Sequence, residues 1–377
     1  MSGYIGSSYR KKIKKLCRLS SGIIHLHGLR YFLYVVNLEL KKNGLAVFAL
    51  DQKPISRFED IQQIKKYKNY LKYLNKKLLK ERLEKSNKIL HMPLISIILI
   101  INNNNFNNLK NTIDSIKNQT YDNWQIIIFS TDSLKNTSRI NELIKNNNSK
   151  IVFYDKLSDT FFNNIFSFNA DFIGFLDTGI ELSKFALYEF ISEINQHPNS
   201  EILYSDHDYL DENNVRVDPF FKPNWSPYLF RSMDYLSSFY IIKKTVLEKI
   251  NSDLIIRNCF NFDILLQSTE ITKFIHHISI PLYSIKHNQM LNVNSKKLAL
   301  SNHLKRINLK AIVKHGITID TFQINYKLDK KPKVSIIIPT KNNYRILKRC
   351  IDSIEKKTNY KNKEIIIVDN SSTDNAT

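Results

Sequence analysis

Acidic side chains follow two stretches of sequence that have the composition of buried strands. Asp177 comes directly after the apolar run Phe172–Leu176, and Glu181 follows four residues later. Asp206 and Asp208 come just after the next predicted strand. Ligands of open α/β sheets bind beyond the carboxyl ends of the strands, and carboxylates there commonly hold a divalent cation against phosphates. The alternative is that they cap the following turn or helix. For Asp206 and Asp208 the sequence does not decide between the two.

From residue 94 onward, short apolar segments alternate with amphipathic ones, which predicts an open α/β sheet flanked by helices. The predicted strands are 94–101, 125–129, 150–154, 172–177 and 201–204. The predicted helices are 108–118, 138–145, 160–168, 182–196 and 297–315. A charged segment, 330–333, then precedes a further strand–helix–strand unit.

That last unit repeats the first one. Segments 96–133 and 335–372 both contain an apolar strand, a helix with the sequence Ile-Asp-Ser-Ile, and a second apolar strand. The copies differ where the second strand ends, because Ser130 in the first corresponds to Asp369 in the second. A two-stranded unit of about 45 residues cannot bury its own apolar strands. We therefore expect the second copy to need a cover.

The overall composition is that of a globular protein with ample core, since 42% of the 377 residues are hydrophobic. No apolar run reaches the roughly 18 residues of a membrane span, and the N-terminal residues do not resemble a secretory signal. Three scattered cysteines without a C-x-x-C pair predict a reducing compartment and no disulfide frame or zinc site. The chain also lacks a P-loop and a G-x-G-x-x-G turn, which argues against other nucleotide-binding α/β classes. We expect a cytoplasmic protein.

Most of the excess positive charge lies in the first 90 residues. The formal net charge is +21, and residues 1–90 contribute 21 basic against 6 acidic side chains. Apolar residues at three- and four-residue spacing predict an amphipathic helix over 58–88. One interpretation is a basic helix lying on an anionic membrane face; the other is a helix that packs its apolar stripe on the following domain. No nucleic-acid-binding motif accompanies the charge, so we expect no nucleic-acid partner.

Several long segments, in a fixed order, carry a resemblance to a known family. They are VSIIIPTKNN, RCIDSI and EIIIVDNSSTD in the second copy, and ALYEFISEINQHPNSEILYSDHD and VDPFFKPNWSP in the body. From residue 92 onward the chain resembles the inverting glycosyltransferases of family 2. It is most similar to the tandem members that build bacterial surface polysaccharide such as O-antigen. The resemblance implies the GT-A fold, with a mostly parallel sheet flanked by helices.

The resemblance also implies a reaction. In the family, an acceptor hydroxyl attacks the anomeric carbon of a nucleotide-diphosphate sugar, and a carboxylate takes the hydroxyl proton. An Asp-x-Asp strand end holds Mg²⁺ or Mn²⁺ against the diphosphate, and an Asp after the second strand binds the nucleotide base. The expected partners are therefore a nucleotide-sugar donor and a lipid-linked or polymeric glycan acceptor.

The nucleotide and metal positions of the first copy depart from this pattern. Ser130 stands at the base-binding Asp position, with Asp132 two residues later, whereas Asp369 retains that Asp in the second copy. Asp177-Thr178-Gly179 stands at the Asp-x-Asp position, so Asp177 keeps its carboxylate and its partner has become glycine. Glu181 is the nearest substitute ligand.

The catalytic and acceptor positions are altered as well. Asn261 stands where the family has its general base, and a neutral amide cannot accept a proton. Asp263 is the nearest carboxylate, and the late metal-binding His of the family falls near Ser284. On the acceptor side the candidates are Lys222 and Trp225, together with Asp206 and Asp208. Loss of the base alone costs about 10²- to 10⁴-fold in rate.

The sequence thus predicts three regions and two possible functions. Residues 1–91 form a basic, mainly helical extension, 92–330 a GT-A domain with a degenerate site, and 331–377 the truncated start of a second GT-A domain. Either the chain transfers a sugar onto a cell-surface polysaccharide with weakened or lost activity, or it is an inactive scaffold or remnant in a polysaccharide-assembly system. Its expected location is the cytoplasm, with peripheral contact between residues 1–90 and the anionic inner face of the cytoplasmic membrane.

Overall fold

A computed structural model of the chain describes residues 57–85, 89–101, 108–130, 150–154, 168–236, 238–251, 254–255, 259–286, 293–318 and 320–376. The predicted helix 138–145, nearly all of the predicted helix 160–168, and the candidate Asp132 lie outside these residues. Within them, no helix is both long enough and apolar enough to cross a membrane.

The first described element is the helix α1, Arg57–Lys85, close to the predicted 58–88. Its apolar stripe is buried: Leu74 and Leu78 pack with Phe185 of the main body in one small cluster. Tyr67, on the same stripe, is buried as well. The interpretation in which the helix packs its stripe on the following residues is therefore confirmed.

The main body of the described chain is a nine-stranded sheet with helices on both faces. Along the chain its elements are β1 (Ile95–Ile101), α2 (Leu109–Lys117), β2 (Trp124–Ser130), β3 (Ile151–Tyr154), β4 (Phe172–Leu176), β5 (Ile180–Leu182), α3 (Ala186–Gln196), β6 (Ile202–Leu210), β7 (Arg216–Phe220), α4 (Pro227–Ser232), β8 (Phe239–Lys243), α5 (Lys244–Leu247), α6 (Phe260–Ile271), β9 (Ile275–Lys286) and α7 (Val293–Arg306). The strand order is β3-β2-β1-β4-β8-β6-β9-β5, and β7 pairs with β6.

The first four strands in this order are parallel, and they bring the chemical positions to one edge. Ile101 at the end of β1 pairs with Ser130 at the end of β2, and Leu99 pairs with Leu176, the last residue of β4. Ser130 and the residue that follows Leu176 therefore lie at the same edge of the sheet, on either side of β1. These strands are almost continuously apolar because both of their faces are covered.

The remaining strands are mixed, so the sheet is less parallel than predicted. β8 is antiparallel to both β4 and β6, β5 is antiparallel to β9, and only β6 and β9 are parallel among this half. Strand β6 also runs six residues past the predicted end at Tyr204 and ends at Leu210. Asp206 and Asp208 consequently lie inside a strand, next to irregularities in its pairing with β9, and not beyond a strand end.

Two apolar layers cover the sheet. On one face, Ile97 and Leu99 of β1 pack against α2 and α3 through residues such as Ile113 and Phe190. On the other face, Ile98 of β1 belongs to a cluster that includes side chains of α6 and α7. The sheet edge that carries Ser130 and Asp177 is thus formed by strands that are buried on both faces.

The C-terminal part differs from the prediction in one place. The predicted helix 297–315 is α7 followed by a strand, β10 (Ala311–His315), which pairs with β11 (Phe322–Tyr326) in a small hairpin. The repeat unit then forms as predicted, with β12 (Val334–Thr340), α8 (Tyr344–Lys357) and β13 (Lys363–Asp369). β12 and β13 form a separate, parallel, two-stranded sheet.

Candidate functional site

The candidate site is built around Asp177, the first residue after β4. A tight turn follows, in which the backbone N–H of Gly179 donates to Oγ1 of Thr112 at 3.0 Å. Gly179 has a φ of 92°, and a Cβ at this position would come within 3.4 Å of Nδ2 of Asn108. Positive φ of this size favours glycine. The position where the family has its second carboxylate is therefore shaped for a residue without a side chain.

Asn261, at the start of α6, lies beside Asp177. Its Nδ2 donates to Oδ1 of Asp177 at 2.8 Å. Oδ1 of Asn261 is buried and has no hydrogen-bond partner among the described residues. Burial raises the pKa of Asp177 to about 7, helped by the charge of Asp234 and opposed by Lys296 and the Asn261 amide. The predicted metal and base positions thus meet, with one carboxylate and one amide where two acids are expected.

A buried ion pair that sequence reasoning missed lies close to this centre. Nζ of Lys296 is 3.0 Å from Oδ2 of Asp234 and 2.7 Å from Oδ2 of Asp320. Burial alone lowers the pKa of Lys296, but these carboxylates outweigh burial and raise it. The three residues come from separate elements and match no motif, so no sequence signal could have identified them. Asp234 and Lys296 act on Asp177 in opposite directions, and the effect of Asp234 is the larger.

The described residues around Asp177 offer a divalent cation one carboxylate. Mg²⁺ is usually bound by one or two protein carboxylates together with waters and substrate phosphates, and in the described part of the chain no group of three acidic, His or Cys side chains surrounds Asp177 closely enough to hold one ion without a substrate. Glu181, the predicted substitute, accepts a hydrogen bond from Nδ2 of Asn111 at 3.1 Å. Ser284, at the position of the family's histidine, donates instead to Oδ1 of Asp208.

Asp263 lies two residues after Asn261 in α6, and it is fully buried. Its Oδ1 is 3.6 Å from Nη2 of Arg306. The same Arg306 makes a bidentate contact with Glu270, through Nε and Nη2 at distances of 2.8–3.0 Å. Removing one partner of a buried ion pair leaves an uncompensated charge, so Asp263 and Arg306 depend on each other within the fold.

Asp206 and Asp208 lie in a buried network away from any open strand end. Oδ1 of Asp206 accepts from the backbone N–H of Lys222 at 2.8 Å and contacts Nε2 of His277 at 2.7 Å. Asp208 accepts three hydrogen bonds, from the side chains of Tyr67 (2.5 Å), Arg216 (2.6 Å) and Ser284 (2.5 Å). Burial raises the pKa of Asp208, and Arg216 opposes this rise. Asp208 thereby connects α1 to the sheet.

Lys222 is buried beside this network. Its Nζ donates to the hydroxyl of Tyr283 at 2.7 Å and lies 5.0 Å from the centroid of that ring. Burial lowers the pKa of Lys222 to about 7, although Asp206 and Asp234 act in the opposite direction. Trp225 is half-buried, with its ring 5.4 Å from that of Phe230.

The nucleotide candidates lie in different surroundings. Ser130 is fully buried at the end of β2. Asp369 ends β13 and is exposed. The hydroxyl and the backbone N–H of Ser372 both donate to the Asp369 carboxylate, and these hydrogen bonds lower its pKa. The structure therefore brings Asp177 and Asn261 together, places Ser130 at the same edge, and leaves Asp369 in the separate unit.

Comparison with known proteins connects this arrangement to one family. The family model described as "Glycosyl transferase family 2" matches residues 96–243 and 335–377, which are 148 and 43 residues, just over half of the 377. The chain is 30% identical over 306 residues to the O-antigen biosynthesis protein RfbC of Myxococcus xanthus. It is 28% identical over 305 residues to the uncharacterized protein y4gI of Sinorhizobium fredii.

These two matches cover 76% and 74% of this chain but 24% and 33% of the relatives. The chain thus spans about a quarter to a third of the length of the curated relatives it matches.

Two solved structures are similar at a lower level. TarS of S. aureus, residues 1–349 in complex with UDP-GlcNAc, has a TM-score of 0.44 and 14% identity, covering 56% of this chain and 66% of that one. The mannosyltransferase PcManGT of Pyrobaculum calidifontis, in complex with GDP-Man and Mn²⁺, has a TM-score of 0.41 and 9% identity, covering 58% and 65%. Likeness at this level carries no conclusion about the chemistry of this chain.

Proposed function

The chain belongs to glycosyl transferase family 2, and from this premise we propose that it transfers a sugar from a nucleotide-diphosphate donor onto a cell-surface polysaccharide. The similarity to a protein named for O-antigen biosynthesis supports the polysaccharide as acceptor. One observation supports a binding site at residue 261: Oδ1 of Asn261 is buried without a partner among the described residues, at the edge where open sheets bind ligands.

The chemistry of Asn261 supports a weakened transferase. During transfer the acceptor oxygen bonds to the anomeric carbon, the bond from that carbon to the diphosphate breaks, and the acceptor proton must go to a base. The Asn261 amide oxygen can accept a hydrogen bond from the acceptor hydroxyl and orient it, but it cannot take the proton. In the natural chain the proton would therefore pass to water, which is a weaker base than a carboxylate. We propose a rate lower by about 10²- to 10⁴-fold than with aspartate at 261.

The predicted Mg²⁺ or Mn²⁺ has no part in this proposal. Asp177 alone would hold such an ion weakly, because divalent magnesium gives up its water reluctantly. We therefore expect donor binding by the natural chain to be insensitive to added Mn²⁺.

The second candidate function is a scaffold of the same family without transfer activity. The hydrogen bond between Asn261 and Asp177 favours it, because both groups of the site already satisfy each other in part. In this case the domain holds its place in a polysaccharide-assembly system and contributes contacts only.

Calorimetry and turnover on the full chain separate the two functions. UDP-, GDP- and dTDP-sugars are titrated into the natural chain and into Asn261→Asp, with the exposed Asn199→Asp as a control for the added charge. The transferase is supported if the natural chain binds a donor and turns it over, and if Asn261→Asp is faster than the natural chain while Asn199→Asp is not. Binding without turnover in every variant supports the scaffold, and absence of heat at millimolar donor rejects the transferase.

The remaining site residues enter as proposals of different kinds. We propose Ser130, with Asp132 beyond it, at the nucleotide side of the first copy, and Asp369 at the same position of the second. Lys222 and Trp225 are proposed on the acceptor side. Because the hydrogen bonds of Asp206 and Asp208 are already satisfied by protein groups, we propose that they position Lys222 and α1.

We also propose that α1 docks on the anionic inner face of the cytoplasmic membrane. Its buried stripe packs on the main body, and at about 100° per residue the opposite side carries the exposed Lys65, Lys72, Lys76 and Lys80. The flanks of the helix add the exposed Lys66, Lys68 and Lys77. Each lysine near an anionic surface contributes about 1 kcal/mol. Packing and membrane contact therefore use different sides of one helix.

Vesicle sedimentation tests the docking. Vesicles with and without phosphatidylserine are mixed with the natural chain and with a variant that carries Lys65→Glu, Lys72→Glu and Lys76→Glu. We expect the natural chain to bind only phosphatidylserine vesicles, and the variant to bind at least tenfold more weakly. A second variant with three charge reversals elsewhere serves as the control. It carries Lys356→Glu and Lys357→Glu at the end of α8 and Lys361→Glu shortly after it. Equal loss in both variants would mean that only overall charge matters.

A further inference from the structure

Three metal-ligating side chains meet at the end of α3. Glu193 and His197 are four residues apart and share one face of the helix end. His276 is the second residue of β9, the strand that runs past them. Oε2 of Glu193 is 2.9 Å from Nε2 of His276 and 3.6 Å from Nε2 of His197. One ligand atom from each residue lies within 4.8 Å of the other two.

These separations match a tetrahedral zinc ion. Bonds of about 2.0–2.1 Å at tetrahedral angles separate neighbouring ligand atoms by roughly 3.3 Å. The two distances from Glu193 lie on either side of this value, and the rings of His197 and His276 have centroids 4.4 Å apart at 32°. Two imidazoles and one carboxylate form a common protein ligand set for zinc.

The surroundings leave room for a fourth ligand. The side chain of His197 is 54% exposed, and those of Glu193 and His276 are partly exposed. Water can therefore complete the coordination. The competing interpretation is a plain contact between Glu193 and His276 with His197 alongside, which needs no ion. The two interpretations differ in whether all three side chains contribute to metal affinity.

The cluster is remote from the candidate site. β6 and β9 start at the edge where β1 and β4 also start, since Ile202 pairs with both Ile275 and Ile242 across the sheet. Asp177 follows the opposite end of β4. A strand of five residues separates these edges by on the order of 15 Å. An ion here would therefore act on structure and not on sugar transfer.

We propose that Glu193, His197 and His276 form a structural Zn²⁺ site, completed by water, which fastens the end of α3 to the start of β9. This site does not depend on the proposed transferase function. The backbone N–H groups of Leu90 and His91 also donate hydrogen bonds to Oδ1 of Asn195 on α3. Zinc would therefore strengthen an edge that already anchors the chain entering β1.

Cobalt absorption and zinc calorimetry on the full chain test the site after treatment with a chelator. We expect the natural chain to develop the visible absorption of tetrahedral Co²⁺ at one equivalent, and Zn²⁺ to displace it and raise the melting temperature. His276→Gln and His197→Gln should each bind at least tenfold more weakly. His315→Gln, an exposed histidine on β10, is the matched control and should bind like the natural chain.

The two histidine ligands differ in how much the fold depends on them. His197 is mostly exposed, so His197→Gln will fold even where His276→Gln does not. Unchanged Co²⁺ absorption in both variants would place the metal elsewhere in the chain and overturn the proposal. Absence of saturable binding below about 100 μM metal, an affinity weaker than roughly 5 kcal/mol, would overturn it as well.

Discussion

At the scale of single residues, the site combines one acid with an amide and a glycine. The Asp177 carboxylate accepts a hydrogen bond from the Asn261 amide, and Gly179 occupies a backbone conformation that suits glycine. A further carboxylate beside Asp177 would raise the cost of burying charge there. The charge of Asp234 already raises the pKa of Asp177, and that of Lys296 lowers it.

Asn261→Asp should create a carboxylate pair that depends on a cation. The present atoms are 2.8 Å apart, and two carboxylates at such a distance cannot both ionise without compensation. We expect the variant to unfold at a lower temperature near neutral pH, and Mn²⁺ to restore part of the loss. Thermal unfolding with and without Mn²⁺ measures both effects.

The natural chain is the first control, since Mn²⁺ should leave its melting temperature unchanged. Asn261→Ala is the second, because it removes the amide without adding charge. Rescue of Asn261→Ala by Mn²⁺ would contradict a mechanism based on paired carboxylates.

Lys222→Met should increase the free energy of unfolding, and this increase should become smaller as pH rises. Burial lowers the pKa of Lys222 to about 7, below its ordinary value of about 10.4. Between these values the unfolded chain binds the proton and the folded protein releases it, so the natural protein gains stability as pH rises. The advantage of the variant should shrink by at least about 1 kcal/mol between about pH 6 and pH 9. Urea unfolding at both pH values gives the difference.

An exposed lysine provides the comparison for this change. Lys249→Met removes a charge from the end of α5 without opening a buried site. We expect its effect on the free energy of unfolding to stay the same at both pH values. A pH-independent effect in Lys222→Met would show that the buried ammonium is compensated at every pH.

At the scale of elements, a narrow apolar stripe and a polar contact at Tyr67 attach α1 to the main body. Leu74 and Leu78 pack with Phe185, and the Tyr67 hydroxyl donates to Asp208 inside the sheet. This hydrogen bond contributes to stability because Asp208 is a buried carboxylate. Loss of a hydrogen-bond donor would leave part of its charge uncompensated. The helix is therefore part of the folded body and presents its lysines from a fixed position.

Leu78→Ala should loosen this helix, whereas Leu79→Ala should not. Leu78 is 3% exposed and its neighbour Leu79 is 50% exposed. Truncating a buried leucine costs about 2–5 kcal/mol, while surface changes usually stay within about 0.5 kcal/mol. Limited proteolysis should cut Leu78→Ala faster within residues 57–85 and leave Leu79→Ala like the natural chain. Equal cutting of both variants would contradict the packing described for α1.

At the scale of the whole molecule, the two copies of the repeat differ in what covers them. The residues Ile98, Ile127 and Phe129 of the first copy are buried beneath α6 and α7. Their counterparts in the second copy are exposed; they are Ile337, Ile366 and Val368. We propose that 331–377 is the opening unit of a second domain, as the separate family match to 335–377 also supports. We propose residues 1–91 and 92–330 as the other two regions of the chain.

Equivalent substitutions in the two copies should have opposite outcomes. Ile98 is 1% exposed and Ile337 is 65% exposed. Ile98→Lys buries an unpaired charge, which costs several kcal/mol or more, so we expect it to prevent folding. Ile337→Lys should change the melting temperature of the main body little and raise solubility, because it breaks an exposed apolar face. Soluble yield and thermal unfolding of both variants measure this.

A destabilised Ile337→Lys would mean that another part of the chain covers this face in solution. Ile346→Lys on the exposed side of α8 is a control for the added charge. It should affect solubility in the same direction and leave the main-body transition unchanged.

The sequence by itself determined the class of the fold. Continuous apolar runs define β1, β2 and β4 because strands buried on both faces carry few polar residues, and the repeat identifies the second unit. The position of Asp177 after an apolar run predicted a site at this strand end, whereas Asn261 was assigned from the resemblance to the family. The α/β class and the family are confirmed, whereas the roles of the individual site residues stay predictions.

Only the tertiary structure decided which distant side chains share one environment. Nothing local links Lys296 to Asp234, or His276 to Glu193, because these contacts depend on how helices and loops pack against the sheet. The same holds for β6, whose polar Ser-Asp-His-Asp segment continues as a strand since its carboxylates find buried donors on α1, β7 and β9. Hydrogen bonds and charges act over a few ångströms in space, and the chain order does not record that distance.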